Sequence, residues 1–136
     1  MNGADNGGEK RRFDRIKVSI TVNYHVRKPL HVRMLVGEEE VEATTLDLGE
    51  GGMAVMTKYD LPIETLISIE FMVHEEDDST TFKFYRSIFV QGEVKSNVLL
   101  GDNNHRIGIS FQKIDEEDRQ EISRFVKLGI TYPKVE

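Results

Sequence analysis

Three arginines near the start of the chain are the first residues whose type and spacing could bind a ligand. They lie within the stretch Arg11-Arg12-Phe13-Asp14-Arg15. A planar guanidinium donates paired hydrogen bonds to a phosphate or to the O6/N7 edge of guanine, and it stacks on base faces. Taken alone, however, such a segment is more often a solvated charged stretch.

A second stretch, Asp47-Leu48-Gly49-Glu50-Gly51-Gly52, combines a carboxylate with three glycines. A carboxylate can accept hydrogen bonds from both N1–H and N2–H of guanine, a pair of donors that no other base presents together. Glycines allow a backbone to approach a flat ligand closely, and we expect a positive φ at one of these three. An ordinary tight turn with an Asx contact would give the same local sequence.

The residue patterns of common enzymes and metal sites are absent from the sequence. It contains no G-x-S-x-G elbow, no Walker phosphate loop and no H-E-x-x-H helix. Its four histidines are scattered without metal-ligand spacing, and it has no cysteine, so thiol catalysis and disulfides are excluded. We therefore expect neither an enzyme nor a metal centre.

Length and charge limit the function classes further. The 136 residues fit one domain, and the formal net charge of -6 argues against broad nucleic-acid binding through a basic surface. We expect a leader at residues 1–9, a domain at 10–130 and a tail at 131–136. No apolar run is long enough for membrane insertion, and the polar N-terminus lacks a signal peptide, so we expect a cytoplasmic protein.

Alternation of apolar and polar residues predicts a mainly β fold. Ile16 to Val26 alternates strictly and predicts a first strand. Further strands are expected at 40–48, 53–57, 65–74, 82–98 and 107–111, with a phase slip at Leu46 and Leu48, just before Gly49, and a bend at Gly92. The pattern predicts a small antiparallel β-barrel of six to seven strands.

The last segment of the chain predicts a helix across one opening of the barrel. Asp115 is placed to begin it, and three acids follow at the positive end of the helix dipole. Ile122, Phe125 and Val126 form one apolar stripe, and Gly129 is the expected C-cap.

In this order, and in a β-rich chain with a C-terminal helix, the two motifs resemble the PilZ family. That bacterial family is a six-stranded split barrel that binds the second messenger cyclic di-GMP through an R-x-x-x-R segment and a D/N-x-S-x-x-G turn. The resemblance runs from Lys10 to about Val126 and includes Gly92-Glu93-Val94 and Arg106-Ile107-Gly108-Ile109-Ser110-Phe111, similar to the late strands of the family.

The resemblance implies a role for six residues in binding cyclic di-GMP, with no other cofactor. They are Arg11, Arg12, Arg15, Asp47, Gly49 and Gly52. Arg11 and Arg15 would grip guanine and phosphate with help from Arg12, Asp47 would read a guanine edge, and Gly52 would hold the turn open. Gly49 replaces the usual serine of the family, and Lys95-Ser96-Asn97 stands where some members have tryptophan.

Three functions remain open from the sequence. The first is a receptor that changes conformation on binding cyclic di-GMP and signals to a downstream protein that the sequence does not identify. The second, motivated by Gly49 and the missing tryptophan, is a PilZ-like adaptor that binds proteins but no nucleotide. The third is a single-stranded nucleic-acid binder, against which the net charge of -6 counts.

Overall fold

A computed structural model of the protein describes residues 15–76 and 83–131. Within them the elements are, in chain order, β1 (Arg15–Lys28), α1 (Leu30–Val36), β2 (Val41–Gly49), β3 (Gly52–Thr57), β4 (Leu66–Glu76), β5 (Lys83–Gly101), β6 (Asn104–Ile114) and α2 (Glu116–Thr131). No helix in this part of the chain is long and apolar enough to cross a membrane.

The described strands form one closed antiparallel barrel in the order β1-β2-β3-β6-β5-β4. The ring closes because β1 pairs with β2 along one edge and with β4 along the other. The alternation predicted for β1 is confirmed, since Val22, Tyr24 and Val26 are buried in the core. The predicted barrel is therefore correct, with six strands.

Helix α2 packs against the barrel through the predicted apolar stripe. Ile122 and Val126 belong to the same buried cluster as the strand residues, and Phe125 packs against that cluster. Asp118, in the first turn, accepts a hydrogen bond of 3.1 Å from Arg86 of β5, which attaches the start of the helix to the barrel wall. The expected C-cap at Gly129 is wrong, because the helix continues to Thr131.

Helix α1 was not predicted from the sequence. The N–H of Arg33 donates to the carbonyl of Pro29 at 3.0 Å and begins a helix of seven residues. Five of these seven residues are apolar and they lie on all sides of the helix, so the segment has no single apolar face that would indicate a helix, and only Val32 is buried.

Two of the irregularities in the strands occur where the sequence indicated them. The pairing of β2 with β3 shifts between Thr45 and Asp47, and the pairing of β5 with β6 shifts between Gln91 and Gly92. Asp102 and Asn103 connect β5 to β6 with φ values of 53° and 63°, as a two-residue hairpin turn of the primed type requires.

Tyr24 gives the barrel a predicted sensitivity to alkaline pH. Burial raises the pKa of its phenol to about 12, partly offset by the hydrogen bond with Thr57 at 2.8 Å. Because the folded-state pKa lies above the ordinary value of 10.0, the contribution to stability is complete below pH 10 and is lost as the pH rises towards 12.

Urea denaturation at pH 8 and pH 11 measures this effect. We expect the free energy of unfolding to fall over this interval in the wild type and to fall less in Tyr24→Phe, which has no phenol to ionise. Equal losses in the two proteins would show that Tyr24 is not responsible.

Candidate ligand-binding site

A carboxylate held between two arginines forms the centre of the candidate site. Nη1 of Arg15 donates to Oδ1 of Asp47 at 3.0 Å, and Nη2 of Arg106 donates to Oδ2 at 2.8 Å. The Asp47 side chain is only 11% exposed, whereas those of Arg15 and Arg106 are 19% and 35% exposed. A nearly buried carboxylate is thus neutralised from both sides, while part of each arginine side chain is exposed.

The irregularity in β2 sets the direction of Asp47. Thr45 pairs with Val55, a core residue, but after the register shift Asp47 pairs with Ala54, which lies on the opposite face of β3. A slip of one residue reverses which face of a strand a side chain occupies. The phase slip seen in the sequence therefore places a carboxylate on the outer face of the barrel.

Gly52 is needed because other groups approach it closely. A Cβ at this position would press against the main-chain carbonyl oxygen of Ile109 and would lie 2.7 Å from Nη2 of Arg15. The expected positive φ is wrong, since Gly49, Gly51 and Gly52 all lack it. The turn needs glycine for space rather than for a left-handed backbone.

Strand pairing brings three of the predicted site residues together. Gly49 pairs with Arg15 across β1 and β2 and with Gly52 across β2 and β3, so the three form one row. The turn is fixed to β6 by the N–H of Phe111, which donates to the carbonyl of Gly51 at 2.9 Å. Arg11 and Arg12, also predicted for the site, lie outside the described residues.

Arg106 is the site residue that sequence reasoning missed. It lies next to the buried Ile107, so strand alternation places it on the outer face of β6. Its ion-pair partner Asp47 is 59 positions away in the chain. Only the pairing of β3 with β6 brings them together, and a single sequence does not show that pairing.

Small residues lie beside Asp47 on the outer face. In register across β3, β6 and β5 they are Ala54, Gly108 and Ser96. Ala54 is fully buried, while Gly108 and Ser96 are half-buried. A Cβ on Gly108 would meet the Ser96 hydroxyl. Gly108 and Ser96 therefore form a flat shelf next to the ion-pair cluster.

The described titratable residues away from this cluster make contacts that join elements of the fold. No group of three or more His, Cys, Asp or Glu side chains among them could hold a metal ion. His105 contacts Asn97 through Nδ1 at 3.0 Å, and Asn97 in turn donates to Asp60 at 2.7 Å. These contacts tie the β3–β4 loop to the β5–β6 hairpin.

The fold and the cluster define a small antiparallel barrel module with an arginine–carboxylate–arginine cluster on its outer face. The chain belongs to the PilZ family, whose PilZ domain model matches residues 9–128. PilZ domains are receptor or adaptor modules. No curated protein sequence matches the chain.

Solved structures support the fold at low sequence identity. The Bacillus subtilis inhibitor of motility MotI/DgrA has a TM-score of 0.71 at 15% identity, over 92% of this chain and 54% of that one. The PilZ domain of YcgR from Escherichia coli, solved with c-di-GMP, has a TM-score of 0.53 at 16% identity, over 93% and 99%. The K. pneumonia MrkH–c-di-GMP complex has a TM-score of 0.58 at 16% identity, over 90% and 53%. The chain thus spans about half the length of the MotI/DgrA and MrkH chains.

Proposed function

We propose that this protein is a receptor module that binds cyclic di-GMP at the cluster around Asp47, changes conformation and signals to a partner protein. The observation that carries the proposal is the pairing of Asp47 with both Arg15 and Arg106 beside the Gly49–Gly52 turn. The solved YcgR and MrkH structures contain c-di-GMP, which supports the choice of ligand.

The chemistry of the cluster suits this dinucleotide. Asp47 can accept N1–H and N2–H of a guanine, and arginine donates to phosphate oxygens in paired hydrogen bonds. Arg11 and Arg12 precede β1 by only a few residues, so ligand binding would draw them towards the same row as Arg15. Two negative phosphates would then be balanced by arginines from one short segment.

A contact between the turn and helix α2 offers a route for the signal. Glu50, in the middle of the turn, lies 3.9 Å from Nη1 of Arg119 in α2, and both side chains are partly exposed. A ligand that moves the turn would therefore change this ion pair and the surface that α2 presents to a partner.

Titration calorimetry with cyclic di-GMP tests the proposal directly. We expect saturable heat with cyclic di-GMP and none with cyclic di-AMP, because adenine lacks the two adjacent donors that Asp47 would accept. An absence of heat with cyclic di-GMP at high micromolar concentration would refute nucleotide binding.

The Gly49→Ser variant tests the glycine that replaces the family serine. The added hydroxyl can donate to the ligand, and a hydrogen bond to a charged group contributes about 1.5–3 kcal/mol. We expect affinity equal to the wild type or up to about a hundredfold tighter in the same titration. Weaker binding with an unchanged melting temperature would contradict this expectation, because the added side chain would then obstruct the ligand.

A second candidate is an adaptor that binds a partner without nucleotide. Gly49 favours it, because the family hydroxyl is missing there, as does the absence of tryptophan from the whole sequence. An affinity for the partner that stays the same with and without cyclic di-GMP would support the adaptor over the receptor.

A further inference from the structure

We propose that Arg106 reads the O6 atom of guanine, so that it and Asp47 together recognise the whole Watson–Crick edge of the base. This rests on the proposed function and adds a specificity-determining residue to it. The edge presents two donors, N2–H and N1–H, followed by one acceptor, O6. A carboxylate with an arginine bound to one of its oxygens presents the complementary order of two acceptors and one donor.

The ion pairs leave Asp47 able to accept from a base. A carboxylate has two oxygens with about four lone-pair positions in total. Arg15 donates to Oδ1 and Arg106 to Oδ2, so each oxygen keeps a further position. N2–H and N1–H of a guanine can occupy these positions while both arginines stay in place.

Arg106 has N–H donors that are not used in its hydrogen bond to Asp47. Guanidinium carries five N–H groups, and among the described residues Arg106 makes its hydrogen bond to Asp47 through Nη2 alone. With 35% of its side chain exposed, the group is accessible to a ligand. When N1–H of a guanine donates to Oδ2 of Asp47, the neighbouring O6 atom lies beside the guanidinium of Arg106. The remaining N–H groups of Arg106 can then donate to O6.

The shelf beside the cluster carries only small residues. Gly108 and Ser96 lie on the outer face in register with Ala54 and Asp47, and both are half-buried. Neither residue presents a side chain large enough to exclude a purine. A guanine lying on this shelf would direct its edge towards Asp47 and Arg106.

The same geometry excludes adenine at two atoms. Adenine presents the lone pair of N1 where guanine has N1–H, and this lone pair would face the carboxylate. Its N6 amino group would face Arg106, which places a donor against a donor. Two unpaired polar contacts in a desolvated site reduce affinity by about a hundredfold or more.

A double-mutant cycle that combines substitution of Arg106 with replacement of the O6 atom of guanine tests the inference. Cyclic di-GMP is compared by calorimetry with its 6-thioguanine analogue, in which sulfur, a weaker acceptor, replaces O6. We expect the wild type to bind the analogue about tenfold more weakly. Arg106→Met should bind cyclic di-GMP about tenfold more weakly than the wild type and should show no further loss with the analogue.

Two more variants make the result specific. Arg124→Met removes an arginine that also forms a 2.8 Å ion pair, with Glu121 on α2, and should keep wild-type binding and the full loss with the analogue. If Arg106→Met does not fold, Arg106→Lys replaces it in the experiment, because lysine keeps a positive charge beside Asp47. Lysine lacks the planar fork with which arginine donates to two acceptors from separate nitrogens, so the loss with the analogue should shrink here too.

The possible results separate this inference from the function on which it rests. Wild-type affinity in Arg106→Met would overturn it. An equal loss with the analogue in wild type, Arg106→Met and Arg106→Lys would also overturn it, because Arg106 would then act on Asp47 or on phosphate and not on O6. If the wild type binds neither ligand, the proposed function itself is wrong.

Discussion

Replacing Arg15 with alanine should abolish the binding of cyclic di-GMP, with a loss of at least about a hundredfold. Arg15 has two roles, since it supplies donors for the ligand and holds Oδ1 of Asp47 at 3.0 Å. Each hydrogen bond to a charged group contributes about 1.5–3 kcal/mol, so the loss of two, about 3–6 kcal/mol, weakens binding by at least about a hundredfold. Calorimetry on the variant measures the effect.

Arg27→Ala is the matched control for this experiment. Arg27 belongs to the same strand β1, but it is exposed and lies near the far end of that strand. The variant Arg27→Ala removes the same charge as Arg15→Ala, so a general electrostatic effect would weaken the binding of cyclic di-GMP equally in both. We expect Arg27→Ala to bind as the wild type does. A similar loss in both variants would show that charge alone, rather than the position of Arg15, determines affinity.

Gly52→Ala should both destabilise the barrel and weaken binding. The new methyl group would press on the carbonyl oxygen of Ile109 and on the Arg15 guanidinium. A main-chain carbonyl in a paired strand cannot turn away, so β3 must shift from β6 or Arg15 must leave Asp47. Overpacking of this kind costs about 1–3 kcal/mol in the free energy of unfolding, which urea denaturation measures.

Gly108→Ala is the matched control for stability. Gly108 also lies on the pairing of β3 with β6, but a Cβ there would meet the hydroxyl of Ser96, which can rotate to another position. We expect this variant to unfold close to the wild type. If Gly52→Ala were as stable as Gly108→Ala and bound cyclic di-GMP normally, the close approach at Gly52 would have no functional importance.

The barrel could be predicted from the sequence because each strand shows a local alternation of apolar and polar residues. Residues such as Val22, Tyr24 and Val26 alternate with polar neighbours, and the slip near Asp47 marked the bulge that turns the carboxylate outward. Short-range patterns of this kind depend only on which face of a strand meets the core.

Features that depend on distant pairing could not be predicted in this way. The contact of Arg106 with Asp47 arises from the pairing of β3 with β6, two strands that are not consecutive in the chain. The reason for glycine at position 52 likewise lies in Ile109 and Arg15, far away in the sequence. Helix α1 was missed because it is short and its apolar residues lie on all sides, which leaves no periodic signal.

An NMR titration of the protein with cyclic di-GMP tests the central claim most directly. If the nucleotide binds at the cluster, the amide signals of Arg15, Asp47 and Gly49 and the side-chain signals of Arg106 should shift together and saturate at one ligand concentration. Signals of the β5–β6 hairpin around Asp102 should stay unchanged. The absence of any shift at the cluster, or shifts confined to other parts of the barrel, would contradict the account.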